Sequence, residues 1–237
     1  MGVSPIPFSF WKGTCSLLLG IHDFINSQPL LEPLMKRASE AGLEIRTNSP
    51  AQLADQLSNG KLDMAMIPAI EYLKQADRFR LLPNISISSR NKVGTVLLVS
   101  KVPLNAIRSL ALDDRSRTSI ALLRILYSEV FSAGLKLTRQ EPDLEKMLHN
   151  NDAALIIGDQ ALGFSKEDLS IYDLSEEWFT RTEKTFVHAV IAVREDIKVE
   201  SGIIQTLLDA KQEGLQNLDT IAKIQANKTG HPIFLLR

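Results

Sequence analysis

Short apolar runs of strand length alternate along this chain with stretches whose apolar residues recur at helical spacing, the pattern of a layered α/β protein. CSLLLGI (15–21) reads as a buried strand, and NSQPLLEPLMKRASEAG (26–42) as a helix opened by Asn26 and closed by Gly42. Pro29 suits its first turn, whereas Pro33 would kink it. LEIRT (43–47) is a second strand. Ser49 then caps a helix in which Leu53, Ala54 and Leu57 share one face and Gly60 ends the turn. DMAMIP (63–68) follows as a strand, with a short helix around AIEYLKQ.

The central part repeats this alternation. VGTVLLVSK (93–101) and SLALD (109–113) read as strands, and residues 116–134 as a long amphipathic helix ending at Gly134. KLTR is a weak strand, DLEKMLHN a helix, and DAALIIGD (152–159) a buried strand running into a turn. FVHAVIAV (186–193) is the last strand, and 201–225 carries only helical signals. The two longest apolar strands, near residues 95 and 190, divide the chain into outer parts and a centre. A protein of two lobes whose chain crosses between them twice gives this arrangement.

Composition narrows the chemistry. The 237 residues carry 27 Lys plus Arg against 28 Asp plus Glu, a formal charge of -1. Nucleic-acid binders that act by counterion release need a basic excess or a basic run, so no nucleic-acid partner is expected. A single cysteine, Cys15, forms no internal disulfide, and the four histidines show no zinc spacing. Leu17 to Ile21 is too short for a secretory core and is followed by His22 and Asp23. Ile6 stands where a myristoylation pattern after Gly2 needs Ser or Thr. No run approaches the roughly 18 apolar residues of a membrane span. The expectation is a soluble cytoplasmic protein without a membrane partner.

Candidate chemistry gathers at strand ends. In LALDDRSRTSIALLRIL (110–126) a strand ends in two aspartates, and the next helix opens on Ser116, Arg117, Thr118 and Ser119. Free N–H groups and the positive end of the helix dipole favour an anion there, and two kinds of directional donor suit a carboxylate. The alternative is that Ser116 merely caps the helix while Arg117 stays solvated. Glu71 in IPAIEYL fits a helix dipole as well as a site. Gly158 permits an unusual backbone or a close approach, and Asp159 is either a cap or an acid. Asn26 either caps its helix or presents its amide to a ligand. His188, inside a strand, reads as a packing or core hydrogen-bonding residue; His22, just before FINSQPL, is better placed for a cleft. Trp11 and Trp178 read as core or lobe-surface aromatics. All the strand-end signals fall where open α/β sheets bind ligands. No GxGxxG, Walker loop or GxSxG elbow is present, which disfavours nucleotide cofactors and hydrolase triads.

Taken together, the motifs resemble the chorismate dehydratase family of the futalosine route to menaquinone. FINSQPL resembles the family's YLNxxPL, and PAQLADQLSNGKLDMAMIPAIEYL its PxxLAxxLxxGxxDxxxIPxxEY segment. SRTSIALLRIL is near identical to SRTSxxLLRxL, ALIIGDQAL matches LLIGDxAL, and FVHAV keeps part of PFVxAxW. The resemblance implies an α/β, two-lobed type II periplasmic-binding-protein-like fold with the ligand cleft between lobes, drawn here as 1–96 plus 189–237 and 97–188. It implies loss of water from chorismate to give 3-[(1-carboxyvinyl)oxy]benzoate, with neither redox cofactor nor metal. Asn26 and Thr95 are the implied catalytic residues, Asn26 toward the ring hydroxyl or the developing anion. Ser116, Arg117, Thr118, Ser119, Gly158 and Asp159 are the implied binders of a small dicarboxylate partner. Departures fall at both presumed crossings: Asn91 and Lys92 stand for Gly-Pro, and Glu183, Lys184 and Thr185 for Gly-Leu-Pro. Ile191 stands for Trp and Phe24 for Tyr. A carboxylate-binding protein without turnover is the alternative reading, and a 1,4-dihydroxy-6-naphthoate synthase a third.

Overall fold

A computed structural model describes residues 16–129, 134–162 and 167–233. Gly2, Ile6, Trp11, Cys15 and the end of the helix expected to run to Gly134 lie wholly or partly outside the described residues. Among the described residues, ten strands form two five-stranded sheets. The first holds β1 (Leu17–Ile21), β2 (Leu43–Thr47), β3 (Met64–Pro68), β4 (Phe79–Ser89) and β10 (Phe186–Arg194), in the order β2-β1-β3-β10-β4. The second holds β5 (Val96–Ser100), β6 (Ser109–Asp113), β7 (Lys136–Gln140), β8 (Ala153–Ile157) and β9 (Ser170–Asp173), in the order β7-β6-β8-β5-β9.

The sheets share one plan. In each, three strands run parallel, and the fourth position is taken antiparallel by the strand that has just arrived from the other sheet: β10 against β3, and β5 against β8. Parallel neighbours need helical crossovers. In the first lobe these are α1 (Gln28–Met35) and α2 (Pro50–Ser58), followed by α3 (Ala69–Lys74). The second lobe uses α4 (Thr118–Leu126) and α5 (Leu144–His149), with α6 (Leu174–Thr182) leading back out. α7 (Ser201–Gln216) and α8 (Leu218–Thr229) close the first lobe. Each sheet is covered on both faces, so its inner strands are apolar throughout: β3, β5 and β8 are buried at every position. One face of the first sheet packs on α1 and α7 through Leu30, Leu34, Ile203 and Leu207, the other on α2 through Leu53 and Leu57.

Several expected elements are shorter, and one long strand departs from the sequence reading altogether. The helix expected over 26–42 is a short 3-10 turn (Ile25–Ser27) plus α1, which tolerates Pro33 but is finished at Met35. The helix expected from 116 begins at Thr118, and α4 is capped at Tyr127, with Ser128 and Glu129 helical again beyond that break. The longest strand is β4, whose alternation is interrupted at Pro83 and at Asn84 with φ 66°, where β10 pairs across register shifts. A bulged edge strand carries no clean period of two, which hides it in the sequence. The chain therefore crosses outward between Ser89 and Val96 and returns between Thr182 and Phe186. The boundary drawn at 188–189 falls inside β10, which pairs with β3 and β4.

One carboxylate ties the two crossings together. Asp173 caps α6 by accepting from the N–H groups of Ser175 (3.0 Å) and Glu176 (3.2 Å), and its other oxygen accepts from Val93 (3.0 Å) and Gly94 (2.6 Å) on the outward crossing. Asn91 and Glu183 both sit at positive φ, 72° and 58°, at positions where the family pattern has glycine. Both crossings thus keep a glycine-type backbone in spite of the substitutions, at ease for Asn and at some cost for Glu. Among the described residues no helix is long and apolar enough to cross a membrane.

Candidate active site

The carboxyl ends of β1, β3, β6 and β8 face one another across the two lobes, and the two crossings close one side. Between them lies a cavity of about 330 Å³. The first lobe contributes His22, Phe24, Asn26, Pro29 and Pro68; the second contributes residues 115–119 and 157–159; Ser88, Ser89, Thr95 and His188 come from the crossing strands. The eight site residues implied by the resemblance line this cavity: Asn26, Thr95, Ser116, Arg117, Thr118, Ser119, Gly158 and Asp159; Glu71 does not.

Their chemistry differs from residue to residue. Ser116 and Ser119 are buried, and the Ser116 hydroxyl has no hydrogen-bond partner in the protein. A buried, unpaired hydroxyl at a helix start is costly unless something in the cavity completes it. Thr118, one residue into α4, turns instead to the other lobe: its Oγ1 donates to the His188 carbonyl at 3.1 Å and accepts from Ile70 N–H at 3.4 Å. The Arg117 guanidinium also reaches across, with Nη2 on both Asp55 oxygens (2.9 and 2.8 Å) and Nη1 on Glu71 Oε2 (3.2 Å). Glu71 is buried and holds Lys74 as well, at 3.2 Å. Arg117 is therefore a clasp between lobes, with its charge spent on carboxylates of the protein.

Arg115 lines the cavity as well, and sequence reading passed it over in favour of the hydroxyls that follow it. Its Nε and Nη2 hold the fully buried Asp113 (2.9 and 2.7 Å), and Nη2 also donates to the Ile157 carbonyl. Nη1 takes no part in these bonds. Asp113 further accepts from Ile157 N–H at 3.3 Å, which locks the ends of β6 and β8 together beneath the guanidinium. The signal available in the sequence was an arginine between an aspartate pair and a hydroxyl-rich helix start.

Gly158 has φ 69°, and a Cβ placed there would stand 3.2 Å from the Phe24 ring. The left-handed backbone favours glycine, and the close approach of Phe24 from the opposite lobe leaves little room for a side chain. Phe24 has two polar neighbours: the Arg115 guanidinium lies 5.2 Å from its centroid, and the His22 ring, tilted by 49°, lies 4.9 Å away. Asp159 accepts from Ile25 N–H at 3.1 Å, another tie between lobes. Burial pushes its carboxyl above the usual range, opposed by that N–H.

Both cavity histidines are neutral at ordinary pH. Burial holds His22 down at about 4, and burial holds His188 down at about 4 against the pull of Asp173. His188 Nε2 lies 2.7 Å from Ser89 Oγ and 3.4 Å from Ser175 Oγ, so it has the core hydrogen bond expected of it and also forms cleft wall. His22 Nδ1 is buried without a partner. His149 is exposed at the end of α5, and Trp178 packs on Phe186 in the second core at 5.4 Å between ring centroids. Among the described residues, no group of three or more His, Cys, Asp or Glu could hold a metal ion.

Two mixed sheets joined by two crossings around a cleft define the periplasmic-binding-protein class of fold. Solved structures agree: a protein of Archaeoglobus fulgidus matches with a TM-score of 0.74 at 17% identity, covering 95% of this chain and 86% of that one. The periplasmic aliphatic sulphonate binding protein of Escherichia coli matches at 0.58 and 16% identity, over 93% of this chain and 80% of that one. Sequence places the chain more narrowly. It belongs to the menaquinone biosynthesis family, whose profile matches residues 17–233. A relative from Thermus thermophilus, described as a chorismate dehydratase, is 31% identical over 92% of this chain and 85% of its own length.

Proposed function

We propose that this protein dehydrates chorismate to 3-[(1-carboxyvinyl)oxy]benzoate and water, supplying the futalosine route to menaquinone. The observation that carries this reading is the Thermus thermophilus chorismate dehydratase, similar over nearly the whole of both chains. The cleft supports it chemically. Chorismate is a small dianion, and a protein of net charge -1 needs only local donors to hold one. One carboxylate binds at the start of α4 on the unpaired Ser116 hydroxyl, with Ser119 and Arg115 beside it.

Loss of the ring C3 proton and of the C4 hydroxyl aromatises the ring. The carbanionic charge that builds up as the proton leaves spreads into the ring carboxylate, where the helix start and Arg115 stabilise it. Asn26 directs its amide at the developing anion, and the Thr95 hydroxyl positions the ring from the outward crossing. The proton passes to the substrate's own enolpyruvyl carboxylate and from there to the C4 hydroxyl, which leaves as water, so that both carboxylates are ionised again in the product. Arg117 acts on closure of the lobes rather than on the substrate.

The test is direct. Purified protein is mixed with chorismate, and product is followed by chromatography and ultraviolet absorbance. An aromatic product that accumulates with turnover, and that falls by at least about tenfold in Ser116→Ala, is the expected result. Saturable chorismate binding with no aromatic product would replace the enzyme by a carboxylate-binding protein on the same fold.

A further inference from the structure

His22 follows the last residue of β1 and is 3% exposed, yet it lines the cavity. Its backbone is fixed, because the carbonyl accepts from the Ser27 hydroxyl at the foot of α1. Its ring is fixed by Phe24, at 4.9 Å between centroids and tilted 49°. Phe24 in turn is held between Gly158 and Arg115 of the opposite lobe. Closing the cleft therefore sets the imidazole in one orientation. Nδ1 is sealed from solvent and bonded to nothing, so the nitrogen that a ligand can reach is Nε2. A buried N–H without an acceptor is rarer and costlier than a bare acceptor. The ring therefore carries its proton on Nε2 and directs a neutral donor into the cavity.

We infer that His22 is a specificity-determining residue that reads the ring hydroxyl of the substrate through Nε2. The inference rests on the dehydratase reading above. The ring carboxylate is served by the helix-start donors and Arg115 on the second lobe, and the enolpyruvyl carboxylate is the proton acceptor; a neutral donor on the first lobe suits the one uncharged polar oxygen that is left, the ring hydroxyl. Substrate and product differ by the elements of water, and the ring hydroxyl is the only hydrogen-bonding group lost. His22 thus favours the substrate over the product, and release of the aromatic dianion leaves the donor as unpaired as it found it.

Two amide variants separate this role from packing. Gln places its amide nitrogen at the reach of Nε2, whereas Asn places it only at that of Nδ1. His22→Asn is expected to raise KM for chorismate about tenfold, the worth of one buried hydrogen bond. Its Kd for 3-[(1-carboxyvinyl)oxy]benzoate, measured by calorimetry, should stay within about twofold of wild type on the same scale. His22→Gln should recover most of the loss. On wild-type protein, the product should bind about tenfold more weakly than chorismate. Equal weakening of both ligands, identical behaviour of the Asn and Gln variants, or a product bound as tightly as substrate by the wild type would each overturn the inference. Failure of the wild type to bind or convert chorismate would instead remove the reading on which it stands.

Discussion

Arg117 offers a quantitative test of how the cleft is held shut. It sits at the N-terminus of α4 on the second lobe, and its three ionic contacts all go to the first. The contacts are unequal in worth. Asp55 is 57% exposed, so even a two-pronged pair with it contributes no more than about 1 kcal/mol. Glu71 is only 10% exposed, and removing the partner of a buried carboxylate costs about 3–5 kcal/mol when nothing replaces it. Lys74, 3.2 Å away, replaces much of it. The net contribution to the closed arrangement is then about 1–2 kcal/mol, or about 5–30-fold in the balance between closed and open lobes. Arg117→Met keeps the length of the side chain and removes the charge. We expect a larger radius of gyration for the ligand-free variant by small-angle X-ray scattering, and a KM for chorismate raised about 5–30-fold. At saturation kcat should change by less than about twofold, because bound ligand closes the lobes itself. An unchanged radius and KM would refute the clasp. A fall in kcat at constant KM would show instead that the guanidinium acts on the reacting ligand.

Three further outcomes follow from the same structure. Gly214, inside α7, lies where a Cβ would stand 1.5 Å from the Pro29 carbonyl oxygen of α1; Gly214→Ala should lower stability by about 2 kcal/mol in urea titration, whereas helix propensity alone gives a gain of about 1. Glu183→Gly relieves a left-handed residue at the return crossing and should stabilise by about 0.5 kcal/mol after the added freedom of the unfolded chain, a rise in Tm of about 1–2 °C that calorimetry resolves. The histidines set a pH dependence. His22 and His188 titrate near 4 when folded and near 6.5 when unfolded, so below about pH 6.5 the unfolded chain takes up protons that the folded one refuses. Stability should therefore fall with pH across that window by up to about 1.4 kcal/mol per unit for each histidine, with the raised Asp159 carboxyl acting in the opposite sense as it protonates. Denaturant titrations across the window should show a shallower slope for His188→Gln, and an unchanged slope would refute its assignment as a buried neutral group.

Local pattern determined much of this protein. The alternation of short apolar runs with amphipathic stretches placed β1, β3, β5, β6 and β8, because a strand buried on both faces is a continuous apolar run that needs no partner to be visible. The hydroxyls at 116, 118 and 119, the amide at 26 and the Gly158–Asp159 turn were legible for the same reason: strand ends and helix starts are local features, and their chemistry is carried by residue type. Tertiary structure decided what those residues do. Whether Arg117 or Arg115 faces the ligand depends on which carboxylates stand opposite, and Asp55 and Glu71 come from helices some 46 to 62 positions away in sequence. The need for glycine at 158 comes from its left-handed backbone and is reinforced by Phe24 across the cleft, and the unpaired nitrogen of His22 is set by burial that no window of sequence contains. β4 stayed hidden because its bulge breaks the period that local reading requires. Single residue types announce what chemistry is possible; long-range packing selects which group is left with a bond still to make.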